Sequence, residues 1–138
     1  MKLRFVIPGE PTGKGRPRFT NAGHTYTPKK TVDYERRVRA EFIKQCGHAV
    51  YEQGVPLDVR ITAYMTIPKS ASQKKRKLMV EHKIRPTKKP DFDNIGKVVC
   101  DSLNGLAYHD DAQVVDAQVR KFYGEEPRVV VTISEADL

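Results

Sequence analysis

Tryptophan is absent from the 138 residues, and cysteine occurs only at Cys46 and Cys100. Two cysteines make neither a disulfide framework nor a zinc site. No apolar run approaches the ~18 residues that cross a bilayer. The N-terminal apolar stretch Leu3–Ile7, broken by Arg4, is too short for a signal-peptide core. With 38% hydrophobic residues the chain is too apolar to stay unfolded, and with 30% charged residues it is too polar to sit in a membrane. Internal repeats and low-complexity tracts are missing as well. The expectation is a single cytoplasmic domain over residues 1–138, long enough to bury a modest core.

Acidic residues are in the minority, 17 against 25 Lys and Arg, for a net charge of +8. The imbalance is local. Residues 1–67 carry a net +6, residues 68–90 a net +8, and residues 91–138 a net −6. Basic stretches attract polyanions through phosphate contacts and counterion release, without regard to base sequence. A solvated Lys-rich face explains 68–90 equally well when it is taken alone. The second basic stretch, Gly13-Lys14-Gly15-Arg16-Pro17-Arg18, adds glycines that admit phosphate close to backbone amides and arginines that fork onto phosphate oxygens. It lacks the Lys-Ser/Thr ending and helix start of a P-loop. Nucleic-acid contacts are therefore expected from Lys14, Arg16 and Arg18, from Lys74, Lys75, Arg76 and Lys77, and from Lys88 and Lys89.

Periodicity supplies the elements. Leu3–Ile7 reads as a strand, and the Pro- and Gly-rich residues 8–30 as a long mobile basic loop. Thr31 is placed to cap a helix running to about Cys46 and stopped by Gly47, with Tyr34, Val38 and Phe42 on its apolar face. Leu57–Ile67 alternates apolar and polar residues as a half-buried strand ended by Pro68. Residues 70–83 have helix-forming composition behind a serine cap but little apolar face. Asp93 precedes an amphipathic helix carrying Ile95, Val98, Val99, Leu103 and Leu106, closed by Asn104-Gly105. Val114–Tyr123, with Val115, Ala117 and Val119 on one face, and Arg128–Ser134 complete the list as partner strands. This order implies an α+β domain, a small mixed β-sheet with helices packed on one face.

The chemistry concentrates in Asp91-Phe92-Asp93-Asn94-Ile95-Gly96-Lys97. If the chain enters the helix extended, Asp91 and Asp93 project to the same side. Lys97 then falls one turn above Asp93, at a helix N-terminus whose amides favour anions. Asp110-Asp111 offers a further acid, and residues 105–111 can stretch about 23 Å at ~3.3 Å each, enough to return to the helix start. Clustered carboxylates raise one another's pKa unless a cation sits among them. Oxygen ligands without His or Cys favour Mg²⁺ or Mn²⁺ over zinc, and such a site supports in-line phosphoryl displacement. The bland alternative makes Asp93 a helix cap, Lys97 its i,i+4 partner and Asp110-Asp111 a turn. Basic chain beside the acids is the combination a nuclease needs.

Pro90-Asp91-Phe92-Asp93-Asn94, Lys97, Asp101 and Asp110-Asp111-Ala112-Gln113-Val114-Val115-Asp116 together resemble the RusA family of Holliday junction resolvases. That family carries an R/K-x-D-x-D-N-x-x-K segment followed by D-D-A-Q-V. The close match covers roughly Arg85–Thr132. One departure is visible: Lys88-Lys89-Pro90 stands where the type member has a compact Arg cluster.

The resemblance implies a small dimeric, Mg²⁺-dependent endonuclease of bacterial or phage origin that places paired nicks in four-way DNA junctions, with no organic cofactor. By motif position it makes Asp91, Asp93 and Asp111 the metal-binding carboxylates and Lys97 the essential basic residue, with Asp110 ranked below Asp111. Asp101 could orient Lys97 or simply pair with it at the surface, and Asp116 could sit at the edge of the site or pair with Lys121 or Arg120. Phe19, Tyr26 or Phe92 could stack on unpaired bases, or serve as plain core and loop anchors. His24, His48 and His82 are expected in ordinary surface or packing roles, and His109 could touch the site. The alternative function is a non-catalytic nucleic-acid-binding module whose acids are structural.

Overall fold

Alternation along Leu57, Val59, Ile61, Ala63 and Met65 buries one face of a central strand, and the neighbouring strands repeat the pattern. A computed structural model describes residues 1–137. In chain order it contains β1 (Lys2–Pro8), β2 (Arg18–Phe19), β3 (Thr25–Tyr26), α1 (Lys29–Cys46), β4 (Leu57–Thr66), α2 (Gln73–Val80), α3 (Phe92–Ser102), a 3-10 turn at Asp111–Gln113, β5 (Val114–Gly124) and β6 (Arg128–Glu135). The main sheet runs β1-β6-β4-β5, and β2 and β3 form a separate ribbon. Among the described strands only β4 and β5 pair in parallel. Such a pair needs a long crossover, and residues 67–113 supply it through α2 and α3. The fold is the expected α+β arrangement with a mixed sheet.

The register places Leu3, Phe5, Ile7, Val59, Ile61, Ala63, Val129, Val131 and Ile133 on one face. The helices cover that face with Tyr34, Val38 and Phe42 of α1 and Ile95, Val98 and Val99 of α3. Phe5 and Phe42 meet edge to face with centroids 5.4 Å apart. Truncating so buried a phenylalanine to alanine costs about 3–5 kcal/mol. A smaller cluster of Met65, Ile67, Met79 and Tyr123 seats α2 at the end of the same face. Among the described residues no helix packs on the opposite face, which mixes polar residues such as Arg60 and Thr62 with Val6, Tyr64, Phe122 and Val130.

The local departures from expectation have identifiable causes. Pro28, not Thr31, begins α1, and no side chain caps it. Thr31 is buried inside the first turn, where its hydroxyl accepts from the Gly15 amide at 3.0 Å. The 8–30 loop is shorter than it looked in sequence, because β2 and β3 pair within it through Arg18–Tyr26 and Phe19–Thr25. The helix of the 70–83 segment is confined to Gln73–Val80, with Ser72 accepting from the Lys75 amide at 3.2 Å. Helix α3 ends at Ser102 with Leu103 as its C-cap, one position before Asn104-Gly105. Val115 does not share a face with Ala117 and Val119. A register shift at Leu57/Asp58 makes it the extra residue of a bulge, 61% exposed.

Candidate functional site

Helix α3 organises the site. Asp91, in extended conformation, is its N-cap, and Asp93 lies inside the first turn. The extended entry that would have aligned the two carboxylates therefore ends at Asp91, and Phe92 is already helical. Asp93, Lys97 and Asp101 follow at i, i+4 and i+8, a single face about 12 Å long at 1.5 Å per residue. The apolar stripe Ile95, Val98 and Val99 points the other way into the core and fixes this rotation.

Asp111 is carried to that face by a tightly bonded turn. Its amide donates to Asn104 Oδ1 at 2.8 Å. Asp110 caps the 3-10 turn, accepting from the Ala112 amide at 3.0 Å. Gln113 is buried and fully bonded. Its Oε1 accepts from the His109 and Asp110 amides, and its Nε2 donates to the Glu52 and Val55 carbonyls. These bonds identify Asn104 and Gln113 as positioning residues that sequence reasoning missed. The Asp-x-x-Gln spacing of a capping box was the available signal for Gln113.

Asp93, Lys97, Cys100 and Asp111 line one cleft of about 430 Å³, with Val59, Ile61 and Val119 among its apolar walls. Gly96 keeps it open, since a Cβ there would lie 3.3 Å from Val119 Cγ2. Asp91 opens onto an adjoining hollow of about 560 Å³ shared with Asp93, Lys88, Lys89 and Lys121. Sequence-distant Asp93 and Asp111 thus share a cleft, while Asp91 stands at its mouth. Among the described residues no three His, Cys, Asp or Glu side chains form a ready ligating group.

Charge explains the behaviour of the acids. Burial, then the adjacent Asp110 and Asp101 carboxyls, hold Asp111 above the usual carboxylate range, against an opposing Asn104 hydrogen bond. Asp110, fully exposed, is held below its ordinary value by the Ala112 amide. Burial pushes the Cys100 thiol up to about 11. The donor chemistry of the cleft fits a hard divalent cation. Mg²⁺ commonly takes only one or two carboxylates and completes its shell with waters and substrate phosphate oxygens.

The basic residues divide. Lys14 is not free for phosphate: its Nζ lies 3.0 Å from Glu35 and 3.4 Å from Asp101. Its amide also donates to the Asn94 carbonyl at 2.9 Å. Gly13 is required beside it, because a Cβ would come within 3.0 Å of both Asn94 and Pro90. Asp101 therefore holds the loop against α3, rather than pairing with Lys97. Arg16 and Arg18 lie beyond this clamp, exposed, as do Lys74, Lys75, Arg76 and Lys77 on α2. Lys88 and Lys89 flank Asp91, with the Lys88 carbonyl accepting from Lys121 Nζ at 2.5 Å.

Other placements differ from expectation. Asp116 is on the opposite face of the sheet, in a hollow with Asp58 and Arg60, because it pairs in register with Asp58. His109 lines a separate hollow with Asp110 and Gln113. Phe19, Tyr26 and Phe92 are not core residues, being 75%, 49% and 64% exposed.

Comparison with known proteins adds lineage to this geometry. The family model described as Endodeoxyribonuclease RusA matches residues 8–134. A Bacillus subtilis (strain 168) protein described as Uncharacterized protein YqaN is 41% identical over 138 residues, covering 96% of each chain. A Lactococcus phage r1t protein described as Crossover junction endodeoxyribonuclease rusA is 30% identical over 111 residues, covering 80% of this chain and 76% of the phage protein.

Proposed function

The chain belongs to the RusA family of endodeoxyribonucleases, and we propose that it resolves four-way DNA junctions by paired, Mg²⁺-dependent nicks. The observation that carries this reading is the single cleft lined by Asp93, Lys97 and Asp111, although the two acids are 18 positions apart in sequence. Asp93 and Asp111, with Asp91 at the mouth, would hold the cation. When bound, Mg²⁺ would supply Lewis-acid stabilisation of the charge that develops on the scissile phosphate.

The rest of the work falls to the chain. The Lys97 ammonium, lining the same cleft as the two acids, would hold a non-bridging phosphate oxygen and orient the phosphodiester. Apolar walls at Val59, Ile61 and Val119 limit water around the reacting phosphate. Lys88 and Lys89 would grip the backbone next to the cut, with Arg16, Arg18 and Lys74–Lys77 contributing contacts that set position without reading bases. Phe92, exposed beside Asp91 and Asp93, is available to stack on a base unpaired at the crossover. A junction is two-fold symmetric, so paired cuts call for a C2 homodimer with one site per opposing strand.

The test incubates purified protein with a synthetic immobile junction, a linear duplex and a single strand, each with Mg²⁺ or EDTA. Paired nicks in the junction alone, and only with Mg²⁺, are expected. Asp93→Asn should abolish cutting while junction binding is retained. Undiminished cutting by that variant would remove the cleft from the chemistry. Binding without cutting under every divalent ion would favour a non-catalytic DNA-binding module.

A further inference from the structure

The open face of the sheet carries a cationic cluster that the cleft does not use. Cross-strand register sets Arg128, Tyr64 and Phe122 in one row, with Arg120 two residues earlier on β5. The Arg128 guanidinium lies 3.9 Å from the Tyr64 ring centroid. Those of Arg85 and Arg120 lie 4.3 and 4.8 Å from the Phe122 centroid. Tyr64 and Phe122 stack at 6.0 Å. None of these arginines has a carboxylate within ion-pair distance among the described residues; of the open-face acids Asp58 and Asp116, Asp58 is engaged by Arg60. Asp116 sits with that pair, about 13 Å from Arg120 at ~3.3 Å per strand residue.

We propose that this face is a second phosphodiester-binding surface, taking a DNA arm that passes from the cleft over the edge of β5. The inference rests on the nuclease reading for its ligand and on separate residues for its site. Stacking on aromatic rings holds a guanidinium flat; Arg85 Nε is spent on the Lys121 carbonyl and one Arg128 N–H group on the Glu126 carbonyl at 2.9 Å, and the N–H groups that remain suit phosphate oxygens. Continuity is built into β5, an edge strand. Lys121 faces the hollow beside Asp91, and its neighbours Arg120 and Phe122 face the open side. The chain between α2 and α3 crosses the same edge, with Arg85 Nε donating to the Lys121 carbonyl at 3.0 Å. Basic side chains therefore follow one another from Lys88 and Lys121 around the edge through Arg85 and Arg120 to Arg128. A duplex arm, stiff over this distance, meets both faces only if it lies along that edge.

Fluorescence anisotropy with a labelled junction in EDTA, over a range of salt, tests the surface. The R120Q/R128Q variant should bind about tenfold more weakly than the parent, with a salt slope reduced by about 2, as expected for two lost phosphate contacts. R120K/R128K should recover most of the affinity. Cutting at saturating junction should stay within about twofold of the parent, since neither arginine lines the cleft. R120E, at an exposed position without a hydrogen bond, provides a second variant should Arg128 prove necessary for folding. Equal affinity and slope in parent and both charge-removing variants would overturn the surface and leave the nuclease reading standing. A parent that binds junctions but cuts none would overturn that reading while the surface stood. A parent that binds no DNA would overturn both.

Discussion

Lys14 Nζ lies 3.4 Å from Asp101, two turns along α3 from Asp93. A residue expected on the DNA face instead ties the basic loop to the helix that carries the acids. Burial alone would lower its pKa, but Glu35 and Asp101 together hold it above the ordinary lysine value of 10.5.

Lys14→Met should increase proteolytic cutting between residues 12 and 28 and lower stability by about 1 kcal/mol, the scale of a partly exposed ion pair. Because the folded-state pKa is raised, the stabilisation is fully present below pH 10.5 and fades as pH climbs through the folded value. Limited proteolysis at pH 8 and at pH 11 checks both parts. Equal digestion of parent and variant at pH 8 would show that the clamp holds nothing.

Gly13→Ala places a methyl 3.0 Å from the Cβ atoms of Asn94 and Pro90. Neither backbone-anchored neighbour yields readily, so a loss of about 1–3 kcal/mol is expected by overpacking. Thermal unfolding measures it. Gly23→Ala, with nothing within 4 Å but φ at +82°, controls for conformational strain alone.

Adjacent acids should separate cleanly. Asp110→Asn weakens the cap of the 3-10 turn and should lower the melting temperature while leaving most cutting. Asp111→Asn relieves crowding with Asp101 and Asp110, so stability should hold or rise while cutting falls by two orders of magnitude or more. Melting curves and single-turnover junction cleavage on both variants decide the matter. The reverse pattern would exchange the roles of the two residues.

The Cys100 thiol, pushed up to about 11 by burial, stays protonated at neutral pH. Native protein should therefore react slowly with iodoacetamide at pH 8 at this position and rapidly once unfolded. The sign for stability is a loss at high pH. An unfolded thiol with its ordinary pKa near 9 ionises first, so the folded state is penalised as pH rises from 9 towards 11. Mass spectrometry of timed alkylation reads the protection.

DNA binding should depend steeply on salt. Contacts to about six to eight phosphates predict a log–log slope near −5 to −7. A flat response in an anisotropy titration would remove the basic segments from the DNA face.

What the sequence determined by itself was whatever depends on short-range pattern. Alternation in Leu57–Ile67 and the 3.6-residue stripe of Ile95, Val98 and Val99 set the β4 and α3 faces, because burial of one face leaves a strand or helix no other rotation. The spacing of Asp93, Lys97 and Asp101 on α3 was legible for the same reason, and the acid pair at Asp110-Asp111 was visible as a motif. Only the tertiary structure decided which long-range partners those groups meet. Lys14 was claimed by Asp101 and Glu35, Thr31 turned its hydroxyl to Gly15, and a bulge took Val115 off the face of Ala117 and Val119 while Asp116 met Asp58 across the strands. Ion pairing and side-chain hydrogen bonding act across space at ~3 Å and leave no periodic trace along the chain, so their partners emerge only when the sheet and helices have packed.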